Sequence, residues 1–196
     1  MGNKVLDLII EFVNALKSDE KISCFDSEGK VYTIHHCRYL LGQIIRCYQI
    51  PSANYHVSEE AIKLWESITT ADINDHSYDE TIVCDKADGV QVNKYKGNAR
   101  VGTKVVIQKN EKLRFNDVFH AEHMVSIKTI VTMLLTQDDL TYERVSGILD
   151  HIHVCRITKD EDKRIKQKSN RPFDYEDVIG TVYTPAGIKI WDEKVI

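Results

Sequence analysis

Hydrophobic side chains recur at helical spacing in several stretches of the chain. Residues 4–17 carry apolar side chains at i, i+3, i+4 and i+7, which predicts an amphipathic helix. The same spacing predicts helices over residues 37–48, 118–135 and 141–149. Each of these stretches has one apolar face, so we expect each helix to pack against another element.

Alternation of apolar and polar side chains predicts strands elsewhere. Residues 80–115 contain two alternating runs joined by a turn-forming segment, Lys96-Gly97-Asn98-Ala99, which predicts a β-hairpin. Residues 151–157 alternate as a further strand. Shorter strands are expected over residues 22–25 and 30–34, and a last one near residues 188–191.

Two helix starts are signalled by their capping residues. Ser58 is placed to cap a helix that ends near Ile68. Thr158 is followed three residues later by Glu161, which is the capping-box pattern. The sequence therefore predicts a strand that leads directly into a helix, beginning at Lys159 and ending near Lys168.

The order of these elements favours an α+β fold. Strands and helices do not alternate regularly, as they would in a doubly wound sheet. A polar stretch after Thr69 resembles a linker. We therefore expect a helical N-terminal part over residues 1–75 and a second part over residues 76–196, although one continuous domain also fits the length.

Composition narrows the class of protein. The chain has 196 residues, of which 42% are hydrophobic and 29% charged, as is typical of globular proteins. No apolar run approaches the roughly 18 residues of a membrane span. The five cysteines include no CxxC pair, which argues against a zinc ribbon or a disulfide framework. We expect a cytoplasmic protein with reduced thiols.

Charge is distributed unevenly along the chain. Residues 1–93 carry 8 Lys/Arg and 15 Asp/Glu, whereas residues 94–114 carry 7 basic and 1 acidic side chain, and residues 156–171 carry 7 and 3. Basic segments on an otherwise acidic chain are typical of phosphate-backbone binding. We expect nucleic acid, most simply double-stranded DNA, to contact these segments through Lys94, Lys96, Arg100, Lys163, Arg164, Lys166, Lys168 and Arg171.

Between the basic segments, the run Phe119-His-Ala-Glu-His123 concentrates groups that bind metals or move protons. Imidazole and carboxylate ligands suit a divalent ion, Mg²⁺ or Mn²⁺, with Zn²⁺ as an alternative. A second group follows on the strand and helix near residue 157. The candidate ligands are His120, Glu122, His151, His153 and Asp162.

The segments Glu122-His123-Met124-Val125 and Ile157-Thr-Lys-Asp-Glu-Asp-Lys-Arg-Ile165 resemble the HNH, or ββα-metal, nucleases. The resemblance covers about a quarter of the chain. It implies that His123 is the general base that activates water. It also implies that Glu122 and Asp162 hold one divalent ion. At the position of Asp162 the family more often has a histidine.

Other classes fit less well, but two alternatives stay open. The order His-Ala-Glu-His is neither the HExxH nor the HxxEH of zinc peptidases. The sequence therefore favours a metal-dependent endonuclease of restriction or phage-defence type, in which the N-terminal helices could support a homodimer. A non-catalytic nucleic-acid-binding or regulatory protein, and a metal enzyme acting on a small molecule, are the alternatives.

Overall fold

A computed structural model gives the chain a mixed α+β fold, as the order of the predicted elements indicated. It describes residues 4–18, 24–25, 31–32, 34–46, 55–76, 80–96, 101–168 and 170–191. The helices in this part of the chain are α1 (Lys4–Ser18), α2 (Ile34–Arg46), α3 (Glu59–Ile68), α4 (Phe115–Val118), α5 (Ile127–Thr136), α6 (Tyr142–Leu149), α7 (Lys159–Arg164) and α8 (Tyr175–Val178). The strands are β1 (Cys24–Phe25), β2 (Val31–Tyr32), β3 (Tyr55–Val57), β4 (Thr81–Val83), β5 (Val90–Lys94), β6 (Thr103–Ile107), β7 (Lys112–Arg114), β8 (Phe119–His123) and β9 (Val154–Thr158).

The chain divides into two units, and neither is continuous in sequence. Unit 1 comprises Met1–Asn54, Val125–Ile152 and Ser169–Tyr175, and unit 2 comprises the remaining segments, Tyr55–Met124, His153–Lys168 and Glu176–Ile196. This division differs from the contiguous one expected at residue 75. The linker-like stretch after Thr69 lies inside unit 2, because Thr70 is held there by hydrogen bonds to Asp85.

Unit 1 is built on four amphipathic helices, α1, α2, α5 and α6. Their apolar faces share one buried cluster. Burial of these side chains removes apolar surface from water and is the main stabilising term of the unit. The most deeply buried members are Ile9, Val13, Leu41, Ile130, Leu134, Val145 and Leu149.

Unit 2 has a three-stranded sheet in the order β3-β9-β8. Strand β9 pairs in parallel with β3 and antiparallel with β8. Residues 124–153 separate β8 from β9 in the chain, and most of them form α5 and α6 of unit 1. Helix α7 follows β9 directly. An antiparallel strand pair followed by a helix is therefore assembled from two distant parts of the sequence.

Two smaller strand pairs complete unit 2. Strands β4 and β7 pair antiparallel, and β5 and β6 form the predicted hairpin. An aromatic cluster lies beneath them, with the rings of Phe115 and Phe119 5.0 Å apart and the indole of Trp65 5.7 Å from Phe119. The core of unit 2 thus holds the start of β8 firmly, since Phe119 is completely buried.

One buried carboxylate joins the two predicted helix caps. Ser58 caps α3 by accepting a hydrogen bond from the N–H of Ala61 at 3.1 Å, and its hydroxyl donates to Oε2 of Glu161 at 2.7 Å. The backbone N–H and the hydroxyl of Thr158 donate to the same oxygen at 2.7 and 3.0 Å. The predicted capping box is confirmed, and it extends to a second helix that the sequence pattern did not connect to it.

The helix predicted over residues 118–135 is wrong in its first part. Residues Phe119–His123 form β8, and α5 begins only at Ile127, after Ser126 caps it by accepting from the N–H of Thr129. The apolar positions of the two elements fall by coincidence at one helical spacing. Residues 119–123 form a strand because pairing with β9 provides hydrogen-bond partners for their backbone N–H and C=O groups.

Two C-terminal elements are shorter than predicted. Helix α7 ends at Arg164 and does not reach Lys168. The expected last strand is reduced to one bridge between Ser58 and Ile190. Among the described residues, no helix is both long and apolar enough to cross a membrane.

Replacing Glu161 tests how much the shared cap stabilises unit 2. Glu161→Ala removes the acceptor of three hydrogen bonds in a fully buried position. Hydrogen bonds to a charged group contribute about 1.5–3 kcal/mol each and are not additive, so we expect a loss of about 3 kcal/mol or more. Urea unfolding measures it. A loss below about 1 kcal/mol would contradict a structural role for this carboxylate.

The same carboxylate makes stability depend on pH. Burial raises the pKa of Glu161 above the ordinary value of a glutamate. Between the pKa of Glu161 in the unfolded chain and its higher pKa in the folded chain, the folded chain keeps a proton that the unfolded chain has released. The free energy of unfolding therefore falls as the pH rises through this interval. Glu161→Gln cannot titrate and should lack this fall. Unfolding free energies of both proteins, measured in steps upward from about pH 4, should diverge; parallel curves would contradict the expectation.

Candidate metal centre

Strand β8 presents two metal-binding side chains on one face of the sheet. Successive side chains of a strand point to opposite faces, so His120 and Glu122 share a face while Phe119 and Ala121 share the other. Across the antiparallel pair, His120 lies opposite Ile157 and Glu122 opposite Cys155. A histidine and a carboxylate two residues apart on a strand are thus brought side by side.

Helix α7 adds a third group to these two. Because the Thr158 cap fixes the first turn of α7, Asp162 projects from the fourth residue of the helix towards β8. His120 Nε2 lies 3.0 Å from Oε2 of Glu122 and 3.9 Å from Oδ1 of Asp162. One nitrogen or oxygen of each residue lies within 4.8 Å of the others.

The three side chains are partly exposed, so an ion could reach them from solvent. The side-chain exposures are 31% for His120, 12% for Glu122 and 28% for Asp162. Ligand atoms that lie about 2.1 Å from one ion stand roughly 3 to 4.2 Å apart. The 3.0 and 3.9 Å separations fall within that span. One imidazole and two carboxylates fit Mn²⁺ or Zn²⁺, and Mg²⁺ with added water.

A lysine lies against this cluster. Nζ of Lys168 forms an ion pair with Oδ1 of Asp162 and donates a hydrogen bond to its backbone carbonyl at 2.7 Å. The ammonium neutralises part of the negative charge that two neighbouring carboxylates create. Lys168, expected from the sequence to contact a phosphate, thus pairs with a carboxylate of the cluster while about half of its side chain stays exposed.

The structure separates the expected general base from its neighbours. Strand alternation places His123 on the opposite face of the sheet from Glu122, so the two consecutive residues do not converge. On the helix predicted from the sequence, His123 would instead have shared a side with His120, three residues before it. His123 does not belong to the cluster of His120, Glu122 and Asp162.

The two other histidines expected as ligands also lie elsewhere. Nδ1 of His153 is 2.8 Å from Nε2 of His56, which makes a hydrogen-bonded imidazole pair at the edge of the sheet. Burial lowers the pKa of His56, so this ring stays neutral near pH 7. His151 belongs to unit 1, where its ring packs on Phe173 with centroids 4.1 Å apart. Neither histidine is part of the cluster.

The predicted nucleic-acid contacts fall into different environments. Lys94 forms an ion pair with the buried Asp117, Lys163 lies over the ring of Tyr95, and Arg164 pairs with Glu60. Lys96 and Lys166 are exposed. Arg171 is only 4% exposed and so is not part of an open basic face in this structure. Arg100 lies outside the described residues.

Two charged residues near the basic hairpin belong to the basic segment 94–114 but were not among the individual candidates. Lys112 and Arg114 alternate with the buried Leu113 on β7, and this short alternation was the available signal. Arg114 donates to Asp117 at 2.8 Å. Lys159 is 8% exposed, and desolvation lowers its pKa against the opposing influence of Asp117. No pattern in the sequence distinguishes Lys159 from an ordinary surface lysine of a first helical turn.

Comparison of the chain with protein-family models, with curated proteins and with solved structures gave no match. The function must therefore be argued from the geometry of the cluster and of the charges around it.

The geometry distinguishes His120 from His123 in a metal-binding experiment. If the three clustered side chains hold an ion, Mn²⁺ should raise the melting temperature of the parent protein, by an amount that grows with the logarithm of its concentration over its dissociation constant. His120→Ala should lose most of that increase, whereas the neighbouring His123→Ala should keep it. Differential scanning fluorimetry with and without Mn²⁺ makes the comparison. The reverse order of the two variants would contradict the placement of the cluster.

Proposed function

We propose that the protein is a divalent-metal-dependent endonuclease that hydrolyses phosphodiester bonds in DNA. The observation that carries the proposal is the convergence of His120, Glu122 and Asp162 from one strand and one helix. A restriction or phage-defence role suits such an activity. The alternative is a nucleic-acid-binding protein without hydrolysis. It would use the same basic residues, and the cluster would have no catalytic role.

The arrangement of β8, β9 and α7 supports a centre of ββα-metal type. Two antiparallel strands are followed by a helix, and the clustered side chains come from the first strand and from the helix. This is the order expected from the resemblance to HNH nucleases. The imidazole of His120 compensates for the carboxylate of Asp162, which stands where that family more often has a histidine. Residues 124–153 account for the long separation between the two halves of the motif.

The chemistry requires little beyond the three clustered groups. A bound divalent ion would polarise the scissile phosphate and lower the pKa of an attached water towards neutrality. His120, Glu122 and Asp162 would hold and orient that ion through one nitrogen and two carboxylate oxygens. In the absence of an ion Nε2 of His120 lies 3.0 Å from Oε2 of Glu122, and an ion bound between them would replace that hydrogen bond with two metal–ligand contacts. The role of general base is not assigned to His123, whose side chain lies on the other face.

A phosphodiester substrate is favoured over an uncharged small molecule by the charges of unit 2. Lys94, Lys96, Lys112 and Arg114 lie together, and Lys168 stands beside the cluster. Positive charge around a metal centre attracts a polyanion and binds its non-bridging phosphate oxygens. We propose double-stranded DNA as the partner, without a membrane component, and a homodimer as its working form.

The proposed setting is the cytoplasm. Cys37, Cys84 and Cys155 are buried. Burial raises the pKa of the Cys155 thiol well above its ordinary value, which keeps the thiol protonated and unreactive. Such cysteines suit a reducing compartment.

Cleavage of plasmid DNA tests the activity. The parent protein should convert supercoiled plasmid to open and linear forms in Mg²⁺ or Mn²⁺ but not in EDTA. Glu122→Gln and Asp162→Asn should lower the rate by roughly 100-fold or more, because each removes charge that holds the ion. Asp88→Asn, an exposed carboxylate of the same unit, is the matched control and should cleave normally. DNA binding without cleavage in any divalent metal would establish the non-catalytic alternative.

Lys168 should weaken metal binding while it helps to attract DNA. Its ammonium forms an ion pair with Oδ1 of Asp162, and an incoming cation must share that carboxylate with it. Removing the charge in Lys168→Gln should therefore tighten Mn²⁺ binding by about threefold to tenfold, as expected for one partly exposed ion pair. Isothermal titration with MnCl₂ measures the change. Unchanged or weaker Mn²⁺ binding would show that Lys168 does not compete with the ion.

A further inference from the structure

Unit 2 contains a pocket that is lined mainly by basic and hydroxyl side chains. It measures about 500 Å³ and lies among β4, β7 and the ends of the β5–β6 hairpin. A pocket of this size can hold one nucleotide unit of a strand. Its lining residues with chemical function are Thr81, Lys94, Tyr95, Lys96, Thr103, Lys112, Arg114 and Asp117.

The balance of charge in this pocket is positive. Four basic side chains line it, against the single carboxylate of Asp117. That carboxylate is 4% exposed and is already neutralised, because Arg114 binds it at 2.8 Å and Lys94 lies at 3.4 Å. Lys96 and Lys112 are exposed and direct their charge towards solvent. The pocket therefore has spare positive charge for an anionic ligand.

One wall of the pocket is held rigidly. The ring of Tyr95 is 4% exposed, and Lys163 lies over it with Nζ 4.4 Å from the ring centroid. Gly102 lies against the same ring, since a Cβ at residue 102 would approach its Cζ to 2.7 Å. The hydroxyl of Tyr95 donates a hydrogen bond to Asp160. A wall fixed in this way costs a ligand little ordering entropy.

The same contacts connect the pocket to the candidate metal centre. Asp160 is on α7, two residues before Asp162, so Tyr95 joins the pocket wall to the helix that carries a clustered carboxylate. Asn93 donates to the same Asp160 at 2.9 Å. The pocket and the centre therefore belong to the same unit, and both contain groups that are tied to helix α7.

We infer that this pocket binds a backbone phosphate group of the DNA strand that is cleaved at the metal centre. The inference rests on the proposed function for its substrate, but the pocket itself needs no metal. Its lysines supply the sequence-independent attraction, and the hydroxyls of Thr81 and Thr103 supply donors to phosphate oxygens. The occupant is the sugar-phosphate backbone, because the rim carries charge and hydroxyls and the Tyr95 ring is covered by Lys163 and Gly102.

Binding measured without metal tests this inference separately from cleavage. The double variant Lys96→Gln/Lys112→Gln removes two exposed charges that line the pocket. The matched control Lys86→Gln/Lys109→Gln removes two exposed charges of unit 2 that do not line it. Fluorescence anisotropy of a labelled DNA duplex in EDTA, over a range of salt concentrations, gives the affinity and its salt dependence for the parent and both variants. Circular dichroism melts check that all three proteins fold equally well.

The pocket variant should bind DNA about tenfold or more weakly, and the slope of log affinity against log salt should be less steep by about two units. The control should retain the parent slope within about half a unit. Equal losses in both variants, or none in the pocket variant, would overturn the inference. The proposed nuclease activity would still stand in that case if the parent cleaves plasmid in Mn²⁺.

Competition identifies which part of the ligand the pocket recognises. Inorganic phosphate and a deoxynucleoside monophosphate are added separately to the parent–duplex complex in EDTA, at constant ionic strength. Displacement that the pocket variant no longer shows would support a phosphate site. Identical displacement from the parent and the pocket variant would count against it.

Discussion

The buried carboxylate of Glu161 is the interaction on which the rest of unit 2 depends. Its Oε2 accepts hydrogen bonds from Ser58 and Thr158, the capping residues of α3 and α7, and so fixes two helices to the ends of two adjacent strands. Desolvation of this carboxylate is unfavourable and raises its pKa, and the three donors offset part of that cost. Because Asp162 is the next residue, the direction of its side chain is set by the same cap. A stabilising device of the fold thus also positions a group of the candidate centre.

The candidate metal centre and the basic pocket both depend on elements that the Glu161 hydrogen bonds hold in place. Strand β8 is held at Phe119 by the aromatic core and along its length by β9. The side chains of His120 and Glu122 therefore lie on a fixed face of the sheet. Helix α7 faces them with Asp162, and its Asp160 binds Tyr95 of the pocket wall. Two carboxylates and an imidazole in one place attract cations. A polyanion bound in the pocket would therefore share one unit with groups that suit a divalent ion.

Local signals in the sequence were sufficient for much of the fold. Helix α1, the Ser58 cap, the β5–β6 hairpin and the Thr158–Glu161 capping box all depend on neighbouring residues, and the structure contains each of them. The centre was predicted only in part. Glu122, His120 and Asp162 were among the candidates, but His123, His151 and His153 were too, and only the pairing of β8 with β9 separates them. That pairing joins segments on either side of residues 124–153, so no local pattern could indicate it. The helical spacing of residues 118–135 pointed to the wrong face for the same reason.

The position of a bound ion tests the proposed metal centre most directly. Crystals of the protein grown or soaked with Mn²⁺ would locate the metal by its anomalous scattering. The account predicts one strong peak at roughly 2.0–2.3 Å from Nε2 of His120 and from one carboxylate oxygen each of Glu122 and Asp162, with Lys168 moved away from Asp162. A peak bound instead by His123 or by the His56–His153 pair, or no peak at saturating Mn²⁺, would contradict it.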